Sequence, residues 1–301
     1  MYLNGFYSYL QFEKRYSKHT LNAYKNDLDQ FGAFLRLLDS KIDQDLLHVN
    51  HRQVRAWIVN MMDKGVEPKS VNRKISSLKT YYRFLLKKNA IQKNPMLKVV
   101  APKVPKPLPV FVDAPSMEKV FEIIQSTYPE TSPMEIFVKL RDLLIIDLLY
   151  STGIRRSELL GLSDNSINFH ESTIKVKGKG NKERIIPVNN RLIELYNAYL
   201  KIRNTIFDKT DMLFLTEKGG NAYPGLIYNI VNRLLTGNTN VTRRSPHVLR
   251  HSFATQLSNN GAELNAIKEL LGHASLASTQ VYTHNTIEKL KEAYKQAHPK
   301  A

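Results

Sequence analysis

The stretch PMLKVVAPKVPKPLPVFVDAP, residues 95–115, decides how this chain is organised. It contains six prolines with lysines between them. Because proline fixes φ and has no backbone N–H to donate, so dense a run prevents a regular helix or strand. The sequence therefore predicts a basic, extended linker over 98–112, with one domain at 1–97 and another at 113–301. A surface loop inside a single domain is the alternative.

The segments before this linker have the apolar spacing of helices. Apolar residues recur every three or four positions in 17–38, 50–62 and 70–88. Basic residues lie largely off the apolar stripe of the third segment, and a helix with one buried and one basic face fits the backbone of a DNA duplex. A solvated charged surface is the other interpretation. The candidate DNA-contacting residues of this domain are Lys18, Lys25, Arg73, Lys74, Lys79 and Arg83.

The charge of the chain indicates a polyanionic partner. Its 301 residues include 44 Lys and Arg against 27 Asp and Glu, a net charge of +17. Residues 1–100 carry 18 of these cations and 8 of the anions, so the charge is densest before the linker. Nucleic acid is the first expectation, an anionic membrane surface the second, and an ordinary basic enzyme the third. The distribution favours a DNA-clamp role for 1–97.

Cysteine usage and hydropathy restrict the class of protein further. The chain contains no cysteine, which excludes disulfides, thiolate catalysis and Cys-ligated zinc. The longest apolar stretch, Leu143–Tyr150, contains Asp147 and is too short to span a bilayer. We therefore expect a cytoplasmic protein that does not associate with membranes.

After the linker the pattern is mixed but mainly helical. Leu140–Tyr150 is typical of a buried helix, which Gly153 would end. Three short strands are predicted at 164–169, 172–177 and 183–188. The last two would form a hairpin around Gly178–Lys182. The predicted fold class is mainly α, with a small three-stranded antiparallel sheet in the second domain.

A set of basic residues that ends in a tyrosine carries the chemistry. Converging arginine, lysine and histidine side chains would form a site for a phosphodiester, and a tyrosine hydroxyl beside it would be a nucleophile aimed at phosphorus. Ser245-Pro246 is a good helix start, which would place His247 and Arg250 on one helical face. The candidate catalytic residues are Arg155, Lys179, His247, Arg250, His273 and Tyr282, with Glu158 in support.

Each of these elements has an ordinary interpretation when it is taken alone. His247 and Arg250 could lie on the surface of any amphipathic helix, and most of the 15 tyrosines must be packing residues. His247 and His251 have the spacing of zinc ligands, but a zinc hydrolase would have Glu where Val248 stands. The order of the whole set is what is specific.

Six motifs in this order closely resemble the tyrosine recombinase (phage integrase) family, and its Xer branch in particular. The resemblance covers nearly the whole chain, and Arg156 stands where the family usually has an apolar residue. The motifs are Ser17-x-x-Thr20-x-x-x-Tyr24-x-x-Asp27-Leu28, Thr152-Gly153-Ile154-Arg155-x-Ser157-Glu158, Gly178-Lys179-Gly180-Asn181-Lys182-Glu183-Arg184, His247-x-x-Arg250-His251-Ser252-Phe253-Ala254-Thr255, Leu270-Leu271-Gly272-His273 and Tyr282-Thr283-His284.

The resemblance implies a fold and a set of residue roles. It implies a four-helix-type core-binding domain followed by a mixed α/β catalytic domain. Arg155 and Arg250 would clamp the non-bridging phosphate oxygens, and His273 would add a hydrogen bond there. Tyr282 would attack phosphorus after His247 takes its proton. Lys179 would protonate the leaving 5′-oxygen, and Glu158 would orient the site.

The resemblance also implies a function and its partners. The chain would be a site-specific DNA recombinase with a 3′-phosphotyrosyl intermediate, needing no cofactor, ATP or metal. It would act in chromosome dimer resolution, as a nucleoid-associated tetramer on two duplex DNA sites, with itself or a paralogous recombinase, and with an FtsK-type DNA translocase. The alternatives are an integrase of a mobile element, a type IB topoisomerase and a non-catalytic DNA-binding protein.

Overall fold

The structure, a computed structural model, divides into two compact units, Met1–Pro107 and Leu108–Ala301. It describes residues 1–39, 43, 45–105, 110–127, 131–178, 181–208, 210–239, 241–242, 244–272 and 284–298, with the backbone alone at 127 and 284–289. The division between the units falls inside the predicted linker. The domain limits 1–97 and 113–301 and the linker 98–112 remain predictions.

Both units are mainly helical. The first contains α1 (Tyr2–Ser8), a π-helical turn (Tyr9–Glu13), α2 (Lys18–Leu38), α3 (His51–Asp63), α4 (Pro68–Lys87) and a 3₁₀ turn (Pro95–Lys98). The second contains α5 (Ala114–Thr127), α6 (Pro133–Thr152), α7 (Arg156–Leu159), β1 (Ile167–Asn168), β2 (Thr173–Lys177), β3 (Glu183–Pro187), α8 (Asn190–Ile206), α9 (Pro224–Leu235), α10 (Pro246–Asn259), α11 (Leu264–Leu271) and α12 (His284–Ala297).

The helices of the first unit begin at side chains that cap them. The Ser17 hydroxyl oxygen accepts the Thr20 N–H at 3.3 Å, and this defines the start of α2. Asn50 and Gln53 form a reciprocal capping box at the start of α3. Helices α1–α4 then bury a common core, in which the Phe6 ring of α1 packs edge-on against the Tyr81 ring of α4. Within the described residues this unit has the predicted four-helix form.

The second unit is organised around α6, which is buried along most of its length. Ser132 and Glu135 form a capping box at its start, and Pro133 occupies the first turn. Residues 141–152 are buried on every face because α6 packs against α5, α7, α8, α9 and α10. Gly153 ends the helix in the left-handed conformation, with φ of 60°. The helix therefore starts earlier than the predicted 140–150 segment.

The sheet of the second unit is antiparallel in the order β1–β2–β3. In β2, Ile174 and Val176 are buried while the two lysines between and after them are exposed, which is the alternation expected of a strand with one covered face. The predicted mainly helical fold with a three-stranded antiparallel sheet is confirmed. β1 is only two residues long because Ser163 and Ser166 form a hydrogen-bonded turn where the prediction began the strand.

No helix in the described ranges has both the length and the apolar character needed to cross a membrane.

Candidate active site

The first predicted arginine lies in the turn between α6 and α7. Arg155 is the residue before α7, and its backbone N–H donates to Glu158 Oε2 at 2.7 Å. Its side chain donates from Nη1 to Glu158 Oε1 at 2.7 Å and from Nη2 to the carbonyl oxygen of Gly272 at 3.2 Å. The side chain is 34% exposed, so the guanidinium is held at two points and still open to a ligand.

The second predicted arginine comes from α10, whose first turn contains Pro246. Arg250 Nη1 donates to the carbonyl oxygen of Gly153 at 2.5 Å, and Nη2 donates to that of Leu271 at 2.6 Å. Burial lowers the pKa of Arg250 to about 10, and the positive charges of Arg155 and Arg184 act in the same direction. The group stays protonated at neutral pH, so the structure places two cations close together.

The Glu158 carboxylate, which accepts from Arg155, offsets one of these two charges, so the pair keeps a net positive charge that a bound anion would neutralise. Each guanidinium carries five N–H donors, and the described contacts use two on each side chain. The remaining donors of Arg155 and Arg250 are suited to two oxygens of one phosphate. His247 lies one turn before Arg250 on α10 and is exposed. These three residues of the predicted set are therefore brought to one region.

Glu158 is the buried acidic group of the site. Burial would raise its pKa, but hydrogen bonds from Arg184 and from Arg155 outweigh this and lower the pKa to about 2. Its carboxylate is therefore ionised at every pH at which the protein would work. Because Glu158 binds both the backbone and the side chain of Arg155, it fixes that arginine's direction, which supports the orienting role predicted for it.

Arg184 belongs to this site although it was not among the predicted site residues. It lies on β3 and is only 5% exposed. Nη1 and Nη2 donate to the two oxygens of Glu158 at 2.8 and 2.9 Å, and Nε donates to the carbonyl oxygen of Leu270 at 2.8 Å. The alternation of side chains along the strand could have identified it, because Arg184 lies on the same face of β3 as the buried Ile186. A charge on a buried face requires a partner.

Three predicted catalytic residues, Lys179, His273 and Tyr282, lie outside the described residues. The residue before each of the first two contacts the site. A Cβ on Gly178 would come within 3.2 Å of Glu158 Oε1. Gly272 accepts the hydrogen bond from Arg155.

The six candidate DNA-contacting residues of the first unit differ in exposure. Lys18, Lys25, Arg73 and Arg83 are exposed, and Lys79 is half-buried.

Lys74 differs from these five because it is buried. It donates to Asp27 Oδ1 at 3.1 Å and to Gln30 at 2.6 Å, so its ammonium group holds α4 against α2. Its neighbour Arg73 donates to both oxygens of Asp27, at 2.5 and 2.9 Å, while half of its side chain stays exposed. Of the two, only Arg73 has a surface to offer a phosphate.

Comparison with known proteins assigns the chain to a family. Residues 125–289 match the model of the phage integrase family, and residues 3–89 match that of the phage integrase N-terminal SAM-like domain. A tyrosine recombinase XerC of Oceanobacillus iheyensis is 37% identical over 306 residues, covering 100% of this chain and 97% of the relative. A tyrosine recombinase XerC of Chlorobaculum parvum is 34% identical over 318 residues, covering 100% and 95%.

A solved structure has the same fold. The XerH site-specific recombinase, bound to a palindromic difH substrate in a post-cleavage complex, aligns with a TM-score of 0.68 at 24% identity, over 92% of this chain and 77% of that chain. The alignments cover at least 95% of each of these relatives, and the first family model covers more than half of this chain. The chain therefore belongs to the phage integrase family, the tyrosine recombinases.

Proposed function

We propose that this tyrosine recombinase cleaves and rejoins DNA at a defined site, with Tyr282 as the nucleophile. The observation that carries the proposal is the pair of guanidinium groups held beside one another by carbonyl oxygens and by Glu158. Attack on a phosphodiester builds negative charge on the non-bridging oxygens of a pentacoordinate transition state. Cations fixed before the reaction stabilise that charge without reorganisation.

The remaining steps are assigned to the residues that the family motifs identify. His247 accepts the proton of Tyr282, whose phenol ordinarily has a pKa of about 10 and is a poor nucleophile when protonated. Lys179 protonates the leaving 5′-oxygen, and His273 donates a hydrogen bond to the phosphate. The product is a 3′-phosphotyrosyl bond, and attack by a 5′-hydroxyl of another strand reverses the chemistry and rejoins the DNA.

We propose that the first unit binds DNA as the second half of a clamp, with the domains at 1–97 and 113–301 and the linker at 98–112. Support comes from α4, whose exposed or half-exposed cations repeat at spacings of four or six residues on one side of the helix. Lys69 and Lys87 mark the ends of this row, which spans about 27 Å at 1.5 Å per residue. The cations are Lys69, Arg73, Lys79, Arg83 and Lys87.

The biological role we propose is chromosome dimer resolution at a chromosomal recombination site. It is supported by full-length similarity to recombinases named XerC and by a fold shared with a XerH recombinase bound to its difH site. The proposal includes a tetramer on two DNA sites, formed with itself or a paralogous recombinase, located on the cytoplasmic nucleoid and dependent on an FtsK-type translocase.

The chemical proposal is tested by trapping the covalent intermediate. The substrate is a duplex that carries the recombination site, with a nick a few nucleotides to the 3′ side of the cleavage position. After attack, the short fragment between the cleavage position and the nick leaves with a free 5′-hydroxyl, and the protein stays joined to the DNA. The intact chain should give a denaturation-resistant adduct, also in EDTA. Tyr282→Phe should bind the same DNA with equal affinity and give none. An adduct from Tyr282→Phe would contradict the assignment of the nucleophile.

The biological role is tested by mapping where that adduct forms in cells. Covalent complexes captured from growing cells should be concentrated at one chromosomal site near the replication terminus. Adducts concentrated at the ends of a mobile element would favour an integrase instead, and adducts spread without sequence preference would favour a topoisomerase.

A further inference from the structure

Three successive carbonyl oxygens at the end of α11 each accept a hydrogen bond from a different arginine. Leu270 accepts from Arg184 Nε at 2.8 Å and Leu271 from Arg250 Nη2 at 2.6 Å. Gly272 accepts from Arg155 Nη2 at 3.2 Å. The three arginines come from β3, α10 and the turn before α7. One helix end therefore joins three separate parts of the second unit.

The end of α11 is well suited to hold cations. The last carbonyl groups of a helix have no partner within the helix, and the helix dipole makes this end negative. Gly272 closes α11 in the left-handed conformation, with φ of 64°. A Cβ on Gly272 would lie 3.0 Å from Arg184 Cδ, so the arginine packs directly on the backbone here. The position of Arg184 and the position of the helix end are consequently linked.

Arg184 and Arg155 also share one carboxylate. Glu158 Oε1 accepts from Arg155 Nη1 and Arg184 Nη1, at 2.7 and 2.8 Å. Oε2 accepts from the Arg155 backbone N–H and Arg184 Nη2, at 2.7 and 2.9 Å. Only a planar guanidinium can donate in parallel to both oxygens, so lysine at 184 would lose this geometry. Arg184 is thus connected to Arg155 through the shared Glu158 carboxylate. It is connected to Arg250 through the adjacent carbonyl groups of Leu270 and Leu271, which accept from the two arginines.

We propose that Arg184 is a positioning residue for strand cleavage, which sets Glu158 and the end of α11 so that Arg155 and Arg250 receive the phosphate in the reactive geometry. The inference rests on the proposed function, since it assumes that these two arginines bind the scissile phosphate. Arg184 itself is only 5% exposed, which leaves it almost no surface to offer a DNA phosphate. Its effect should therefore appear in the rate of cleavage and in its pH dependence, and not in DNA affinity.

The pH dependence follows from the charge that Arg184 supplies. In the intact protein Glu158 stays ionised because hydrogen bonds from Arg184 and Arg155 outweigh the effect of burial on its pKa. Without Arg184, burial remains and one of the two opposing cations is gone, so the pKa of Glu158 rises. A protonated Glu158 has lost its negative charge and carries an O–H donor on one oxygen, so it holds the two donors of Arg155 more weakly. Cleavage by such a variant should then fall additionally as the pH is lowered.

The experiment compares the intact chain with Arg184→Met, which keeps an unbranched apolar stem but removes the guanidinium group and all its donors. Single-turnover cleavage of the nicked duplex is measured between mildly acidic and mildly alkaline pH, and DNA affinity is measured separately. We expect unchanged affinity and a cleavage rate about a hundred-fold lower at neutral pH, as for a small misplacement of reacting groups. The ratio of the variant's rate to the intact chain's rate should fall further at acidic pH.

A matched control separates positioning from loss of stability. Arg203 is another buried arginine of the same unit, and it donates to both oxygens of Asp164 at 2.7 and 2.6 Å and to the carbonyl oxygen of Leu213 at 3.1 Å. Arg203→Met should lower thermal stability, while its cleavage rate should show the same pH profile as the intact chain. A matching acid-side loss in Arg203→Met would mean that instability alone explains the effect, and would overturn the inference.

Two further variants keep the inference testable if Arg184→Met does not fold. Arg184→Lys retains the charge without the planar fork and should still cleave slowly, whereas normal cleavage by Arg184→Lys would overturn the inference. Combining a 184 variant with Glu158→Gln should cost no more than the slower single variant, because both act through one carboxylate. Multiplying losses would show independent roles and overturn it as well. Absence of adduct from the intact chain would instead contradict the proposed function.

Discussion

Arg250 donates to the carbonyl oxygen of Gly153 at 2.5 Å, which joins the second arginine motif to the glycine that ends α6. Gly153 has φ of 60°, and its neighbour two positions on is Arg155. The same glycine therefore turns the chain toward the first arginine and anchors the second. Two motifs that are far apart in sequence therefore depend on one backbone conformation.

Gly153→Ala should damage both stability and cleavage. A Cβ there would lie 2.5 Å from Phe253 Cδ1, so the core must shift in addition to the strain of a left-handed alanine. Gly237→Ala is the control, because its φ is 77° but no atom of the described residues lies within 4 Å of the added Cβ. The left-handed conformation costs about 1 kcal/mol at either site, and overpacking adds about 1–3 kcal/mol at Gly153 alone.

Urea unfolding and single-turnover cleavage of both variants check this prediction. Only the Gly153 variant should also cleave slowly, since the shift moves the carbonyl group that Arg250 binds. Equal losses of stability in the two variants would contradict the prediction, because they would show that the Phe253 ring can move away from the added Cβ without destabilising the protein.

Glu158 should make the second unit sensitive to acid. Its pKa in the folded state is about 2, below the ordinary 4.5, so the stabilisation is fully present above 4.5 and is lost as the pH falls from 4.5 to about 2. A shift of this size corresponds to about 3 kcal/mol. Glu158→Gln should lower the free energy of unfolding at neutral pH and flatten its decline below pH 4.5. Unfolding curves that stay parallel for the two proteins across that range would contradict the assignment.

Lys179→Ala should be rescued by a better leaving group. If Lys179 protonates the 5′-oxygen, its role disappears when that oxygen is replaced by sulfur, because a thiolate leaves without protonation. A substrate with a bridging 5′-phosphorothiolate should restore cleavage to Lys179→Ala. Arg155→Ala should not recover, since its defect lies in stabilising the phosphoryl charge. Rescue of both variants, or of neither, would remove Lys179 from the role of acid.

Arg73 and Lys74 are adjacent but should respond differently to substitution. Arg73 is half exposed, and Arg73→Gln should weaken DNA binding and reduce the slope of log affinity against log salt by about 1. Lys74 is buried against Asp27, and Lys74→Gln should leave that slope unchanged while lowering stability by about 1–3 kcal/mol. Anisotropy titrations over a salt series and thermal unfolding measure the two effects. A reduced salt slope in Lys74→Gln would show that the lysine leaves its buried pair to reach DNA.

Local sequence was sufficient wherever a feature depends on nearby residues. Ser17, Asn50 and Ser132 cap helices through contacts within three positions, and Gly153 ends a helix by its own conformation. The hairpin of β2 and β3 follows from alternation and a glycine-containing turn. These rules operate over a few residues, so the sequence shows them directly. The order of the catalytic motifs could be read in the same way.

The phase of a helix against its neighbours is not a local property. Arg73 and Lys74 have similar side chains and were predicted to play one role, but α4 packs against α1, α2 and α3 at once. This broad contact buries Lys74 and leaves Arg73 half exposed. The apolar stripe in the sequence marks the centre of the buried face of a helix. The width of that face depends on how many other helices surround the helix.

The sequence by itself determined the family and the helical class, and it singled out the two arginines that the structure brings together, because each is encoded in short, ordered patterns. Only the tertiary structure decided what holds those arginines. Arg184 donates hydrogen bonds to Glu158, which lies 26 residues earlier in the sequence, and to the carbonyl oxygen of Leu270, which lies 86 residues later. A buried charge requires an oppositely charged or hydrogen-bonding partner, and the tertiary fold decides which residue supplies it. The spacing of residues along the chain does not show which distant residues the fold brings together.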